Sequence, residues 1–112
     1  MWINGGEIAG NGIDDDANGF VDDIHGVNVV SDARFHSGDP ADDHGHGTHV
    51  AGVAAAAGNN KIGVDGVAYT SKVMAIKAAQ YSGNLTSSDI SEALYYAIQN
   101  GADVINLSLI HI

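Results

Sequence analysis

"DISEALYYAIQNGADVINLSLI", residues 89–110, decides the fold class. Ile90, Ala93, Leu94, Ala97 and Ile98 recur at i, i+3, i+4, i+7 and i+8, which is one apolar face of a helix. Asp89 stands near the positive end of that helix, and Asn100-Gly101 closes it. The run "DVINLSLI" that follows is almost unbroken apolar and predicts a strand buried on both faces, as in a parallel sheet. Upstream, "HGTHVAGVAAAAG" predicts a helix over residues 46–57, because alanine is the best helix former and Gly58-Asn59-Asn60 supplies a stop. So few large side chains suit a position where other backbone passes close by, so this helix is expected at the centre of the fold. "KVMAIKAA", residues 72–79, predicts a strand. The order helix, strand, helix, strand is a βα repeat, hence an α/β domain with a parallel sheet and right-handed crossovers.

Residues 1–45 read differently. "MWINGGEIAGNGIDDDANGFVDD" is rich in Gly, Asn and Asp and predicts loop. One short apolar run, residues 27–30, predicts a strand. "SDARFHSGDPADD" returns to loop and holds the only proline, Pro40. The 112 residues are enough for one small domain. Two or three strands make a poor sheet, however, and the terminal run "VINLSLIHI" would form an apolar edge, so a missing part of the protein is expected.

Charge narrows the partners. The chain has 14 Asp+Glu against 4 Lys+Arg, a net charge of -10. Phosphate contacts need clustered Lys or Arg, so no nucleic-acid partner is expected. The same excess argues against an anionic membrane surface, and no apolar run is long enough to span a bilayer. There is no cysteine, which excludes disulfides and Cys-based zinc sites. Residues 1–12 show no basic region followed by an apolar stretch, so no signal peptide is read.

The acidic excess is local, and "DDDANGFVDD" has its own chemistry. Asp14, Asp16 and Asn18 alternate, Gly19 allows a sharp turn, and Asp22 follows at the ninth position. This is the start of an EF-hand-like loop, although His25 stands where a bidentate acid would close it. Five carboxylates within ten residues repel one another unless a cation neutralises them. Calcium on Asp14, Asp16, Asn18 and Asp22 is the expectation, against a solvated acidic loop.

"DDHGHGTHVAG", residues 42–52, places three histidines within six positions. His44, His46 and His49 fit a zinc hydrolase poorly, because His46 and His49 are three apart and no carboxylate follows in the helix. They could also be ordinary loop and helix residues. In the third reading His46 is a general base at a helix N-terminus, where the dipole disfavours the imidazolium and leaves the ring ready to accept a proton. Gly45 and Gly47 on either side suit close approach of another group.

At these residues the chain resembles the subtilisin-like serine proteases, the subtilases of peptidase family S8. "GHGTHVAG" is similar to the family's histidine motif, "GNNKIGVDGVA" to the loop after its histidine helix, and "NGADVINLSL" to its substrate-side strand. "NGIDDDANGFVDDIHG" resembles an acidic insertion of one branch. These stretches follow the family's order over nearly the whole chain. The resemblance implies a partial doubly wound parallel sheet of the subtilisin-like fold, with residues 1–112 a fragment of one catalytic domain. It splits into an acidic loop-rich segment, 1–45, and the histidine helix with the strand-helix-strand after it, 46–112.

The resemblance implies that His46 takes a proton from a serine and returns it to the leaving amine, and that His49 packs in the helix. The family's aspartate and serine motifs are not found in this chain. Ser108 and Leu109 would pair with a polypeptide substrate and line its first pocket, with Gly83 on the opposite strand. Ile110-His111-Ile112 stand where the family continues with two glycines, which reads as a break in the sequence. A second calcium is implied at "GNNKIGV", with the side chain of Asn60 and the carbonyls of Gly58, Ile62 and Val64 as ligands. The family's habit and the calcium sites imply secretion. The rival expectation is a non-catalytic calcium-binding or structural module that keeps the motif without the chemistry.

Overall fold

A computed structural model describes residues 1–31 and 37–108. Four elements follow one another: β1 (Gly26–Asn28), α1 (His46–Ala55), β2 (Ala75–Lys77) and α2 (Ser87–Gln99). β1 and β2 pair in parallel with Gly26 opposite Ala75, Val27 opposite Ile76 and Asn28 opposite Lys77. The ladder runs one bond further at each end. The Ala75 N–H donates to the His25 carbonyl (3.1 Å), and the Val29 N–H to that of Lys77 (2.9 Å). A parallel pair needs a long crossover, and α1 lies within it. This is the α/β arrangement expected from the sequence, in partial form.

The register depends on a glycine. Gly26 has φ 140°, and a Cβ built there would lie 1.7 Å from the Ala75 carbonyl oxygen. A side chain at this position would meet the backbone of the partner strand, which cannot swing aside as a flexible side chain can.

The core sits between the sheet and α2. Val27 and Val29 are fully buried and pack with Phe20, Ala93 and Tyr96, flanked by Met74, Ile76 and Ala78. The Phe20 ring meets Tyr96 edge-on, with centroids 5.4 Å apart. α2 therefore buries Asp89, Ala93, Tyr96 and Ala97, while Ile98 is exposed although the periodicity placed it on the apolar face. Tyr96 and Ile98 lie two positions apart, on opposite sides of the helix, and burial of the larger aromatic ring sets the rotation.

Both ends of α2 follow from local sequence. The Thr86 hydroxyl accepts from the Asp89 N–H at 3.1 Å, an N-cap bond. The Asp89 carboxylate is diverted from the reciprocal half of a capping box. It is buried, and its Oδ1 accepts from the Ser31 N–H at 3.2 Å, tying the chain after β1 to the first turn of α2. At the other end Gly101, at φ 75°, donates to the Ile98 carbonyl (3.1 Å) and Ala102 to that of Ala97 (3.0 Å). Those two bonds form a Schellman motif, which turns the chain away from the helix.

Beneath the core, Asp23 is fully buried. Its Oδ1 accepts from the Asn4 amide (3.1 Å), and its Oδ2 accepts from Asn18 (2.9 Å) and from the Tyr96 hydroxyl. Burial pushes the Tyr96 phenol well above its ordinary range, and the bond to Asp23 and the charges of Asp23, Asp16 and Glu7 push it the same way. The sign follows: the folded state holds the phenol neutral, so this contribution is complete below about pH 10 and is lost as pH rises through the raised value. Tyr96→Phe should lower stability by about 2 kcal/mol, since it removes one hydrogen bond to a buried charge. Urea unfolding at pH 7 measures this, and an unchanged midpoint would mean that the hydroxyl does not serve Asp23.

Two expectations are corrected. Residues 103–108 form no strand, and Val104 is 86% exposed and Leu107 53%. A run fitted for burial on both faces needs strand partners and covering layers, and the two-stranded sheet provides neither for this segment. α1 is not central either, because none of its residues is buried. Its alanines and glycines offer little apolar area to hold it inside, and the residues 64–67 that run beside it leave an open apolar cleft against Val53. The remaining differences are of extent. α1 stops at Ala55, where Ala56 turns extended, and the strands are three residues each, β1 beginning one residue before the apolar run. Residues 109–112, including Leu109 and the departure at Ile110, lie outside the described residues.

Candidate functional site

α1 begins at His46, and its capping partner is an aspartate four residues upstream. Gly45 precedes the helix at φ 92°, a left-handed conformation that favours glycine. The Asp42 carboxylate gathers the donors this turn exposes. Its Oδ1 accepts from the N–H groups of His44 (2.9 Å) and Gly45 (2.8 Å). Its Oδ2 accepts from the Thr48 N–H (2.8 Å) and hydroxyl (2.6 Å). The Thr48 hydroxyl bond, then the amides of Gly45, Thr48 and His44, hold the Asp42 carboxyl well below the usual carboxylate range.

Its stabilising contribution is complete above the ordinary carboxylate pKa and is lost as pH falls through the lowered one. Asp42 is exposed, so solvent screening keeps the effect small. Asp42→Ala should cost about 1 kcal/mol, the usual cost of losing a helix cap. Circular dichroism during urea unfolding at pH 7 would show it, and the difference from the parent should shrink as pH falls below about 4. An equal difference at all pH values would rule out the carboxylate as the cap.

His46 is the first residue of α1 and is half-buried. Its Nε2 lies 2.8 Å from the Ser108 hydroxyl. The Schellman turn after α2 directs the chain toward Ser108, and the Asp42 cap fixes the start of α1, so two distant segments meet here. When Nδ1 carries the proton, the hydroxyl donates to Nε2. His44 stands beside it with ring centroids 6.4 Å apart. Among the described residues, His44, His46 and His49 do not form a three-nitrogen metal cluster. A side-chain ion pair from Lys77 to Asp43 (2.5 Å) anchors the residues before α1 to β2.

Gly83, expected on the substrate side, occupies a tight turn at φ 82°. Its N–H donates to the Gln80 carbonyl at 2.8 Å, and the Gln80 N–H donates to that of Asn84 at 3.0 Å.

The acidic loop folds around its own amides. Glu7, Asp14 and Asp16 each bring one carboxylate oxygen within 4.8 Å of the others. Hard oxygen donors of this kind suit calcium. Asp14 takes the N–H groups of Asn18 (3.1 Å) and Gly19 (2.9 Å). Glu7 accepts from the N–H groups of Asp15, Asp16 and Asp22. The remaining expected ligands are turned elsewhere. The Asn18 Oδ1 accepts from the Phe20 N–H, and its amide nitrogen reaches Asp16 and Asp23. The Asp22 carboxylate takes the N–H groups of Gly10, Asn11 and Gly12. The Asn60 Oδ1 accepts from the Ile62 N–H at 3.0 Å, closing a local turn.

Sequence reasoning missed Asp42 and Glu7. An acidic residue just before a predicted helix start is a capping signal, and it was available for Asp42. Glu7 stands alone in a glycine-rich stretch, and no periodicity connects it to Asp14.

The model of the Subtilase family, Peptidase_S8, matches residues 7–110. The chain is 43% identical over 107 residues to Subtilisin-like protease 1 of Plasmodium berghei (strain Anka), covering 95% of this chain and 17% of that protein. It is 51% identical over 71 residues to Thermophilic serine proteinase of Bacillus sp. (strain AK1), covering 63% and 18%. With Subtilisin Savinase of Lederbergia lenta it shares 46% identity over 85 residues, covering 74% and 31%. The chain thus spans about a sixth of the length of the first two relatives. No helix among the described residues is long and apolar enough to cross a membrane.

Proposed function

Because this chain belongs to the subtilase family, we propose that it is the histidine-bearing segment of a serine endopeptidase. The observation that carries the reading is the His46 imidazole, fixed at a helix start, with Nε2 within hydrogen-bond reach of a hydroxyl. In the longer protein His46 takes the proton of a nucleophilic serine as it attacks the peptide carbonyl, then gives it to the leaving amine. That serine and the orienting aspartate belong to segments beyond this chain. The substrate is a polypeptide, with Ser108, Leu109 and Gly83 along its path. Neither a nucleic-acid nor a membrane partner is part of this reading.

The 112-residue chain itself should not hydrolyse peptides. The longer protein should take up a fluorophosphonate at a serine outside residues 1–112 and lose that labelling in His46→Ala. Undiminished labelling in the variant would refute the role of His46.

A second reading, the non-catalytic calcium module, is favoured by one observation, the convergence of Glu7, Asp14 and Asp16. Both readings share the ion, which we place among those three carboxylates, where it would relieve their mutual repulsion. Asn18 and Asp22 join it only if their present hydrogen bonds are exchanged, and the Asn60 loop is a separate candidate. Calcium at a hundredfold excess over its dissociation constant should raise stability by about 2.7 kcal/mol. Asp14→Asn should abolish the rise in a calorimetric scan, and a rise that survives in Asp14→Asn with Glu7→Gln would place the ion elsewhere. An extracellular location accords with the resemblance and with a structural calcium.

A further inference from the structure

We propose that Ser108 is itself an acyl acceptor, activated by His46, so that the 112-residue chain is acylated by activated esters. This goes beyond the endopeptidase reading, in which Ser108 only borders the substrate. Two observations meet at one point. The Ser108 Oγ lies 2.8 Å from the His46 Nε2, the distance of a nucleophile bonded to its base. Ser108 is exposed, so an incoming acyl group has access to the hydroxyl. Among the described residues no carboxylate bonds to the His46 ring, so the pair is a dyad and not a triad.

The chemistry of a dyad sets the substrate class. With p-nitrophenyl acetate, the Ser108 Oγ forms a bond to the acetyl carbon, and the Oγ proton passes to the His46 Nε2 and then to solvent. The ester C–O bond breaks, and p-nitrophenolate leaves with the electron pair. This leaving group departs without a proton. A peptide amide has a far poorer leaving group, so its acylation depends on oxyanion donors and on an imidazole oriented by a carboxylate, neither of which the Ser108–His46 pair supplies. Ester acylation and the absence of peptide hydrolysis are therefore compatible in the same chain.

The test is pre-steady-state mixing of the chain with p-nitrophenyl acetate, followed by mass spectrometry. The expected result is a burst approaching one p-nitrophenolate per chain, with one acetyl group on the tryptic peptide after Lys77. Ser108→Ala should remove the acetyl group from that peptide. His46→Gln should slow the burst roughly 100-fold, the low end of general-base contributions. His49→Gln should leave it unchanged. A burst that survives in Ser108→Ala, or acetyl groups found only on lysine or the N-terminus, would overturn the proposal. Either outcome leaves the endopeptidase reading standing, since that depends on a different serine and on fluorophosphonate labelling of the longer protein.

Discussion

If the longer protein is the proposed endopeptidase, His46→Ala is expected to lower its kcat/KM for a peptide substrate by roughly 10^4- to 10^6-fold, with KM little changed, a magnitude carried over from the serine-protease triads of this family. The expectation follows from position. Side chains at a helix start are held by the cap, and here the cap is a carboxylate with four short bonds. Alanine in place of His46 leaves Gly45, Asp42 and Thr48 untouched, so the helix should survive. What is lost is the proton acceptor within reach of a hydroxyl, and that loss falls on the transition state. Steady-state kinetics beside the circular dichroism spectrum separates the two effects. A fall of less than tenfold with the spectrum preserved would show that another group serves as base.

Gly26→Ala is expected to be the most damaging single substitution for the fold. The new methyl group would lie 1.7 Å from the Ala75 carbonyl oxygen, at a φ of 140° that L-residues rarely adopt. Backbone strain costs about 1–3 kcal/mol, and overpacking a similar amount, so roughly 4 kcal/mol is lost. That is a large share of the stability of a small domain. The strands would have to separate at Gly26 and Ala75, and Val27 and Val29 would leave the core with them. Urea unfolding followed by tyrosine and tryptophan fluorescence would show a collapse of the transition. A midpoint within error of the parent would mean that β1 and β2 do not pair in this register.

The sequence made these elements legible to unequal degrees, for physical reasons. α2 was readable because its first-turn acid, most of its apolar face and its glycine stop are local; the structure keeps Asp89, Ala93 and Gly101 in those places, turns Ile98 outward and adds Thr86 as a cap that the sequence reading did not name. β1 and β2 were readable as apolar runs, but their extent was set by each other, and neither could be cut to three residues from its own composition. Residues 103–108 carry a strand's composition without a strand's partners. Pairing is a property of two segments, and the second is absent from the described residues. At the site, His46 was found from a motif. Ser108 was found only as a substrate-side residue, because the turn that brings it to Nε2 acts over 62 positions. Glu7 holds its neighbours through backbone amides far along the chain, a role with no signature of spacing, whereas Asp42 carried a capping signal in its place before the helix.

The pairing of Gly26 with Ala75 ties off everything between them as a closed loop with the histidine helix inside it. Additions between Ala56 and Val73 lengthen the far limb of that loop and leave the histidine where it is. Ser37 bridges to Asn28 in antiparallel fashion, so additions between it and the Asp42 cap act on the near limb and carry the imidazole away from its hydroxyl. Variation in length among descendants of this chain should therefore gather in the far limb, and the near limb should keep its length even where its residues change.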